Sequence, residues 1–216
     1  MSELRNILIA DDHSLIRNGL KQVLELDGGY TIWEADNGVD ALRQIRNKKP
    51  QIAILDIEMP GLTGFEVAQI IQNEGLNLDI IFLTMYKDDS MFNNAMNIGV
   101  KGYVLKENTV SEIRQCIKTV FAGKTYLSPE ISDLLVRRNN KLMAQASDKD
   151  GLNQLTPSEK KILMLLSEMK TNQEIANELS VSIKTVQNHR RNICVKLNIS
   201  GTHALLKFAI RHSGLM

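Results

Sequence analysis

Five polar residues end apolar segments of the chain, at positions where they could handle a phosphoryl group. They are Asp11, Asp12, Asp56, Thr84 and Lys106. A carboxylate can attack phosphorus as a nucleophile, and an ammonium group or a hydroxyl can hold the phosphate oxygens. A carboxylate and a phosphoryl group are both anionic, so a divalent cation must offset their repulsion, and a site rich in carboxylate oxygens suits Mg²⁺. The set therefore predicts phosphoryl transfer to an aspartate, with Mg²⁺ as the cofactor.

The first 125 residues contain the elements that would bring these side chains together. Short apolar runs alternate with amphipathic segments of helical spacing, and the runs lie at residues 6–10, 30–33, 52–55, 79–83 and 102–105. Continuous apolar strands separated by helices predict a parallel sheet covered on both faces. We therefore expect an α/β fold, a doubly wound five-stranded parallel sheet, whose reactive groups gather at the carboxyl ends of the strands.

The rest of the chain has a different pattern. We assign residues 1–125 to the α/β domain, residues 126–152 to a partly helical linker with a flexible joint at 146–153, and residues 153–216 to an all-α domain of four short helices. Residues 1–125 carry 13 Lys and Arg against 17 Asp and Glu, whereas the remainder carries 13 against 8. A basic half joined to an acidic half favours a polyanion, such as nucleic acid, as the partner of the second domain.

The third helix of the second domain, predicted from Ile183 to Leu197, has a polar surface suited to DNA. Its polar side chains are Lys184, Thr185, Gln187, Asn188, Arg190 and Arg191. Gln and Asn can read adenine edges and Arg can read guanine, whereas Lys184, Thr185 and Arg190 are better suited to phosphates. We expect His189 to be structural or to contact a phosphate. The pattern fits a recognition helix whose N-terminal part enters the major groove of double-stranded DNA, and it also fits a small helical bundle with a solvated polar face.

The first domain also resembles a known family. Residues 4–123 are similar to the flavodoxin-like receiver domain of response regulators in the acidic pair Asp11-Asp12, residues 55–61 with Gly64, Leu83-Thr84 and residues 102–106. The resemblance implies that Asp56 accepts phosphate from a sensor histidine kinase. It also implies that Asp12, Asp56 and the backbone carbonyl of Glu58 bind Mg²⁺, with Asp11 acting through water. Thr84 and Tyr103 would then be the switch pair, in which Thr84 moves toward the phosphate and Tyr103 turns inward.

The second domain resembles the helix-turn-helix of the LuxR/FixJ/NarL class over residues 155–200. The matching positions are Leu155-Thr156, Glu159, Asn172, Glu174-Ile175-Ala176, Leu179, Ser182, Thr185-Val186, His189, Ile193 and Lys196-Leu197. The chain departs from the usual pattern at Gln187, where Lys is common, at Ser158, where Arg is common, and near Lys170, where a glycine is missing. These departures leave the target DNA sequence open.

The two resemblances together imply a two-component response regulator in which phosphorylation of Asp56 controls DNA binding and dimerisation. We expect a homodimer when active, with the last helix, through Leu205, Leu206, Phe208 and Ala209, as a candidate dimer surface. Whether activation proceeds by unmasking or by dimerisation stays open. The alternative is a phosphorylation-independent DNA-binding regulator whose receiver is used only for dimerisation.

An enzymatic role is not expected. A phosphohydrolase with an aspartyl nucleophile needs a second Asp two residues further on, where this chain has Glu58. Slow self-dephosphorylation is the only catalytic activity that we expect. Met85 and Tyr86, which follow Thr84, are large, and our hypothesis is that they slow loss of the phosphoryl group. His13, next to the acidic pair, is expected to be a loop residue that opens a helix.

Two observations bear on the cellular compartment. Cys116 and Cys194 lie in different predicted domains without metal-binding spacing, which is typical of buried thiols in a reducing compartment. No signal peptide is recognisable, and no apolar run approaches the roughly 18 residues of a membrane span. We therefore expect a cytoplasmic protein without a membrane partner.

Overall fold

The computed structural model describes residues 5–201 and 203–213, without the side chains of residues 144–146 and 149. The chain divides into two compact units, Met1–Arg138 and Asn139–Met216. The ends of the predicted domains, at residues 1–4 and 214–216, lie outside the described residues. In the part of the chain that the structure describes, no helix combines the length and the apolar character needed to cross a membrane.

The first unit is built on a parallel sheet with strand order β2-β1-β3-β4-β5-β6. The strands are β1 (Arg5–Ala10), β2 (Tyr30–Ala35), β3 (Ile52–Asp56), β4 (Asp79–Thr84), β5 (Gly102–Leu105) and β6 (Tyr126–Leu127). The expected α/β fold with a doubly wound parallel sheet is confirmed. The sheet has one strand more than the five expected, because Tyr126 and Leu127 pair with Gly102 and Tyr103. A strand of two residues is too short for an alternation pattern to indicate it.

Helices cover both faces of this sheet. They are α1 (Ser14–Asp27), α2 (Gly38–Lys48), α3 (Gly64–Asn73), α4 (Asp89–Ile98) and α5 (Thr109–Phe121). Successive residues of a strand point to opposite faces. Accordingly, Ile7 and Ile9 of β1 pack in one apolar cluster with α1 and α5, whereas Leu8 and Ala10 pack in a second cluster with α2, α3 and α4. The continuous apolar runs of the sequence follow from this burial on both sides.

The register of the sheet aligns the ends of its strands. Ala10 is paired with Leu55, and Thr84 is paired with Leu105. The residues that follow these pairs therefore project from the same edge of the sheet. This edge carries Asp11, Asp56 and Lys106.

The segment after α5 is more ordered than the sequence indicates. A single 3-10 turn at Pro129–Ile131 leads into α6 (Ser132–Asn153). At residues 146–153, where the sequence indicates a flexible joint, the structure continues α6. Leu152 is buried in the apolar core of the second unit, and a Cβ atom on Gly151 would lie only 2.8 Å from Leu197 Cδ2. Packing within the second unit therefore keeps this polar, glycine-containing stretch helical.

The second unit contains the four short helices predicted from the sequence. They are α7 (Pro157–Ser167), α8 (Asn172–Glu178), α9 (Ile183–Lys196) and α10 (Ala204–Arg211). Capping side chains define where three of them begin. Thr156 and Thr171 each form a reciprocal capping box with the glutamate three residues later, and the Ser182 hydroxyl accepts a hydrogen bond from the Thr185 N–H. These caps orient α8 and α9 as consecutive elements of a helix-turn-helix.

One expectation about α10 is wrong. Leu205, Phe208 and Ala209 were candidates for a dimer surface, but they are buried in the core of their own unit. Apolar residues at helical spacing indicate a buried face without specifying whether its own domain or a partner covers it. Of the four residues proposed, only Leu206 is partly exposed.

Candidate functional site

The carboxyl ends of β1, β3 and β5 bring two carboxylates and one ammonium group into contact. Lys106 Nζ lies 2.6 Å from Asp56 Oδ2 and 2.8 Å from Asp11 Oδ2. The three side chains are almost fully withdrawn from solvent, with exposed fractions of 3% for Lys106, 3% for Asp56 and 0% for Asp11. Two negative charges thus share one positive charge in a buried environment. The excess negative charge favours binding of a further cation.

The electrostatics of Asp56 reflect this imbalance. Burial raises the pKa of Asp56 to about 6, and the negative charge of Asp11 acts in the same direction, whereas the hydrogen bond from Lys106 opposes the rise. The Glu58 backbone N–H also donates to Asp56 Oδ1, at 3.2 Å. Burial alone would lower the pKa of Lys106, but its hydrogen bonds to Asp11 and Asp56 raise it above its ordinary value. Lys106 therefore stays cationic and the carboxylate remains poorly neutralised.

Asp12 and His13 extend this cluster toward solvent. His13 Nδ1 lies 2.7 Å from Asp12 Oδ1 and 3.2 Å from Asp11 Oδ1. One potential ligand atom from each of Asp11, Asp12, His13 and Asp56 lies within 4.8 Å of all the others. Besides its ion pair with Lys106, the buried Asp11 Oδ2 has no hydrogen bond of good geometry. Several carboxylate oxygens that share one ammonium group are a donor set that fits a hard divalent cation.

His13 lies closer to the acidic cluster than the sequence indicates. It does precede α1, as expected for a loop residue that opens a helix. Its backbone N–H also donates to Asp11 Oδ1 at 2.8 Å, and the turn brings its ring toward both aspartates. A lone histidine does not form a metal-binding motif with a second histidine. Only its position directly after Asp11 and Asp12 in the sequence could have indicated this arrangement.

A cavity of about 120 Å³ lies against the buried aspartate. Besides Asp56 and Lys106, its lining includes Thr84, Met85 and Tyr86. Thr84 is buried, and its Oγ1 accepts a hydrogen bond from the Tyr86 N–H at 3.1 Å. Met85 and Tyr86 have exposed fractions of 66% and 49%, so they form the outer wall of the cavity. A small anionic group bound to Asp56 would therefore lie between Lys106 and this wall.

Tyr103 of β5 occupies an inward position. Its side chain is 0% exposed and packs edge-on against Phe92 of α4, with ring centroids 5.5 Å apart. Burial raises the pKa of Tyr103 to about 12. Its hydroxyl makes no hydrogen bond of good geometry among the described residues, although the Thr84 side chain opposes this rise in pKa. The Tyr103 hydroxyl therefore lies close enough to Thr84, on the neighbouring strand, to respond to a change there.

The second candidate site is the surface of α9. Lys184, Gln187, Asn188 and Arg191 are exposed, whereas Val186 and Ile193 of the same helix are buried in the core. The helix therefore fixes its polar side chains on the outside with an apolar stripe on the inside. Four side chains with donor and acceptor groups on one short helix are suited to the edges and phosphates of a DNA groove.

The remaining predicted contact residues on α9 are partly engaged within the protein. Arg190 donates a hydrogen bond from Nη1 to Asn172 Oδ1 at the start of α8. The Thr185 hydroxyl lies 2.8 Å from that of Ser182, and His189 Nδ1 is buried without a partner among the described residues. Asn172 was noted only as part of the family pattern. Its pairing with Arg190 ties the two helices together and orients the guanidinium.

These two sites coincide with two families of known proteins. Residues 7–118 match the family model of the response regulator receiver domain. Residues 153–209 match that of the bacterial regulatory proteins of the luxR family. This chain belongs to the NarL/FixJ response regulators. The acidic cluster and α9 of this response regulator lie within the two matched regions, one in each.

Two relatives match this chain over nearly their whole length. The response regulator is 32% identical over 209 residues to the oxygen regulatory protein NreC of Staphylococcus carnosus, covering 95% of this chain and 96% of NreC. It is 30% identical over 207 residues to the response regulator GacA of Pseudomonas aeruginosa, covering 95% of each chain.

Solved structures of the response regulator RcsB are similar over nearly their whole length. One from Salmonella typhimurium gives a TM-score of 0.61 at 25% identity, over 97% of this chain and 99% of RcsB. Another gives a TM-score of 0.57 at 25% identity, over 94% of this chain and 97% of RcsB, and contains two RcsB dimers bound to two parallel DNAs.

Proposed function

We propose that this response regulator is a transcription regulator whose DNA binding is controlled by phosphorylation of Asp56 by a cognate sensor histidine kinase. The observation that carries the proposal is the buried contact of Lys106 with Asp56 and Asp11 at the end of three parallel strands. A structural ion pair would balance its charges, whereas this cluster has one carboxylate too many. Such an arrangement is suited to receiving an additional cation and an electrophile.

The chemistry assigned to the residues follows from their charges. An oxygen of Asp56 attacks the phosphorus atom, the bond from phosphorus to the donor histidine nitrogen breaks, and the nitrogen keeps the electron pair and takes a proton. Lys106 stabilises the charge of the phosphoryl oxygens, and Thr84 donates its hydroxyl hydrogen to one of them. Mg²⁺ would be held by Asp12, Asp56 and the carbonyl of Glu58, with Asp11 through water, and would neutralise the approaching phosphate.

The output of the switch is assigned to α9. Exposed Gln187, Asn188 and Arg191 would read base edges in the major groove, while Lys184 would contact a phosphate. We propose that the active species is a homodimer on two half-sites of double-stranded DNA; the RcsB dimers bound to DNA support this assignment by similarity. A regulator of this kind acts in the cytoplasm, where the bacterial chromosome lies.

The competing function is a DNA-binding regulator that ignores phosphate. Its receiver would serve only for dimerisation. We propose no catalytic turnover for either the phosphorylation-dependent or the phosphorylation-independent regulator. The complete set of Asp11, Asp56 and Lys106, whose side chains are withdrawn from solvent at strand ends, disfavours this alternative, because an unused carboxylate in such a position only lowers stability.

The deciding experiment uses the full chain with acetyl phosphate and Mg²⁺. Intact mass should show one added phosphoryl group, absent from Asp56→Ala, and selection of DNA from a random pool should yield tighter or more selective binding by the phosphorylated protein. Asp36→Ala, at an exposed aspartate outside the cluster, is the matched control and should behave as the parent chain does. Equal DNA affinity and oligomeric state in the parent and Asp56→Ala proteins after treatment would establish the phosphate-independent alternative instead.

A further inference from the structure

Residues 126–138, here called the strap, follow the last expected helix of the receiver and pack on the receiver domain. The Tyr126 N–H donates to the Lys101 carbonyl at 2.9 Å, and the Ser128 N–H donates to the Tyr103 carbonyl at 3.0 Å. The buried Ser128 hydroxyl accepts a hydrogen bond from the Leu105 N–H at 3.1 Å and donates to Glu112 Oε2 at 2.5 Å. The strap is therefore bonded to the strand that carries both Tyr103 and, at its end, Lys106.

The middle of the strap covers the apolar cluster that contains the switch tyrosine. Ile131 is 0% exposed and Leu134 is 5% exposed. Both belong to the buried cluster that includes Phe92 and Tyr103. Removal of these two large aliphatic side chains from water favours docking of the strap.

The end of the strap is fastened to α4. The Arg138 guanidinium donates to Asn93 Oδ1 and to Asn97 Oδ1, both at 2.9 Å. The Arg138 guanidinium thus binds two successive turns of α4 and is partly buried. The neighbouring Arg137 makes only an exposed pair with Asp89 at 3.0 Å, of a kind that contributes little.

We propose that the strap holds Tyr103 inward, so that docking of the strap and phosphorylation of Asp56 stabilise each other. The Tyr103 hydroxyl is buried without a hydrogen bond of good geometry, which is unfavourable, so the inward ring depends on the apolar cover around it. Release of Ile131 and Leu134 uncovers the cluster and lets the hydroxyl reach water. The second half of the proposal rests on the proposed function and follows from linkage, because two events that favour the same position of Tyr103 must favour each other.

The first half can be tested on the full chain without phosphate. Tetranitromethane nitrates exposed tyrosines, and peptide masses identify Tyr103. Arg138→Ala should nitrate Tyr103 about fivefold faster than the parent chain, the change expected from loss of ~1 kcal/mol of docking free energy. Leu134→Ala should act in the same direction by removing strap packing, while Lys141→Ala, an exposed lysine of the same helix, should leave the rate unchanged. Unaltered nitration in both Arg138→Ala and Leu134→Ala would overturn the proposal.

Hydrogen–deuterium exchange tests the link to Asp56. With acetyl phosphate and Mg²⁺, the amides of residues 126–138 should exchange more slowly in the parent chain, and this slowing should be absent from Asp56→Ala. A chain that carries the phosphoryl group by mass yet shows unchanged or faster exchange in the strap would refute the coupling and leave the proposed function intact. A chain that takes no phosphate refutes the proposed function, while the nitration rates still decide whether the strap holds Tyr103.

Discussion

Replacing Asp56 by asparagine should make the receiver more stable at neutral pH, although it removes the proposed phosphoacceptor. The carboxylate is buried beside Asp11, and Lys106 neutralises the two only in part. Asparagine has nearly the same shape and no charge, so it keeps the packing and removes the uncompensated negative charge. The parent chain is therefore expected to be the less stable of the two.

The magnitude follows from the pKa of Asp56. A rise from the ordinary 3.8 to about 6 corresponds to about 3 kcal/mol at 1.36 kcal/mol per unit. Because the folded state holds the proton more tightly than the unfolded state, stability falls as pH rises from about 4 to about 6 and stays low above that range. The gain from Asp56→Asn should thus reach up to about 3 kcal/mol at pH 7.5 and become small near pH 4.

The assay is urea unfolding of the full chain in buffer with a chelator, at pH 7.5 and at pH 4.5. Trp33 is the only tryptophan in the sequence and lies in β2, so its fluorescence reports unfolding of the receiver alone. Asp36→Asn, at an exposed aspartate, is the control and should change the free energy of unfolding by less than about 0.5 kcal/mol at either pH. A lower stability of Asp56→Asn at pH 7.5, or an equal gain at both pH values, would show that the charge of Asp56 is not the cause.

Three further predictions concern the cavity wall, α9 and the turn after α7. Met85→Ala should shorten the lifetime of the phosphorylated receiver, measured by loss of the phosphoryl mass over time, because water gains access through the cavity wall. Lys184→Ala should weaken binding to all DNA sequences and reduce the salt slope by about 1, whereas Gln187→Ala should change base preference with a smaller change in slope. Met169→Gly should raise the midpoint of thermal unfolding of the second unit, since Met169 has φ of 64°, with a gain of about 0.5–1 kcal/mol.

Each of these predictions has a matched control. Met143→Ala alters an exposed methionine of α6 and should leave the phosphate lifetime unchanged; equal lifetimes for both alanine variants would remove the shielding role of Met85. Arg137→Ala removes an exposed positive charge outside α9, and a similar loss of DNA affinity there would refute a specific role for Lys184. Met164→Gly lies inside α7 and should lower stability by about 1 kcal/mol, so a gain there as well would show that φ is not the reason.

The sequence predicts the positions of the acidic residues well, because parallel strands have a strong signature. Each of Asp11, Asp56 and Lys106 follows a continuous apolar run, and the fold places all strand ends at one edge. The same reasoning predicted the four helices of the second unit from capping residues such as Thr156 and Ser182. In these regions the local pattern and the tertiary structure agree, so the pattern is informative.

The pattern fails where tertiary packing decides the outcome. The polar stretch before Leu155 indicates a loop, but Leu152 and the close approach of Gly151 to Leu197 keep it helical. In α10 the apolar spacing is correct, yet the sequence does not reveal which surface covers Phe208. Both errors come from contacts between residues distant in the chain, which periodicity does not encode.

The composition of the strap predicts a linker. Its buried residues, Ile131 and Leu134, are separated by polar positions, and its hydrogen bonds go to the backbone of β5 and to the amides of α4. Nothing in the strap's own composition marks these partners. Asp56 and Tyr103 are both buried in unfavourable surroundings. The Asp56 carboxylate lies beside Asp11 with only Lys106 to neutralise the two, and the Tyr103 hydroxyl makes no hydrogen bond of good geometry. Phosphorylation with a bound cation would relieve the first, and docking of the strap holds the second in position, so we expect each event to favour the other.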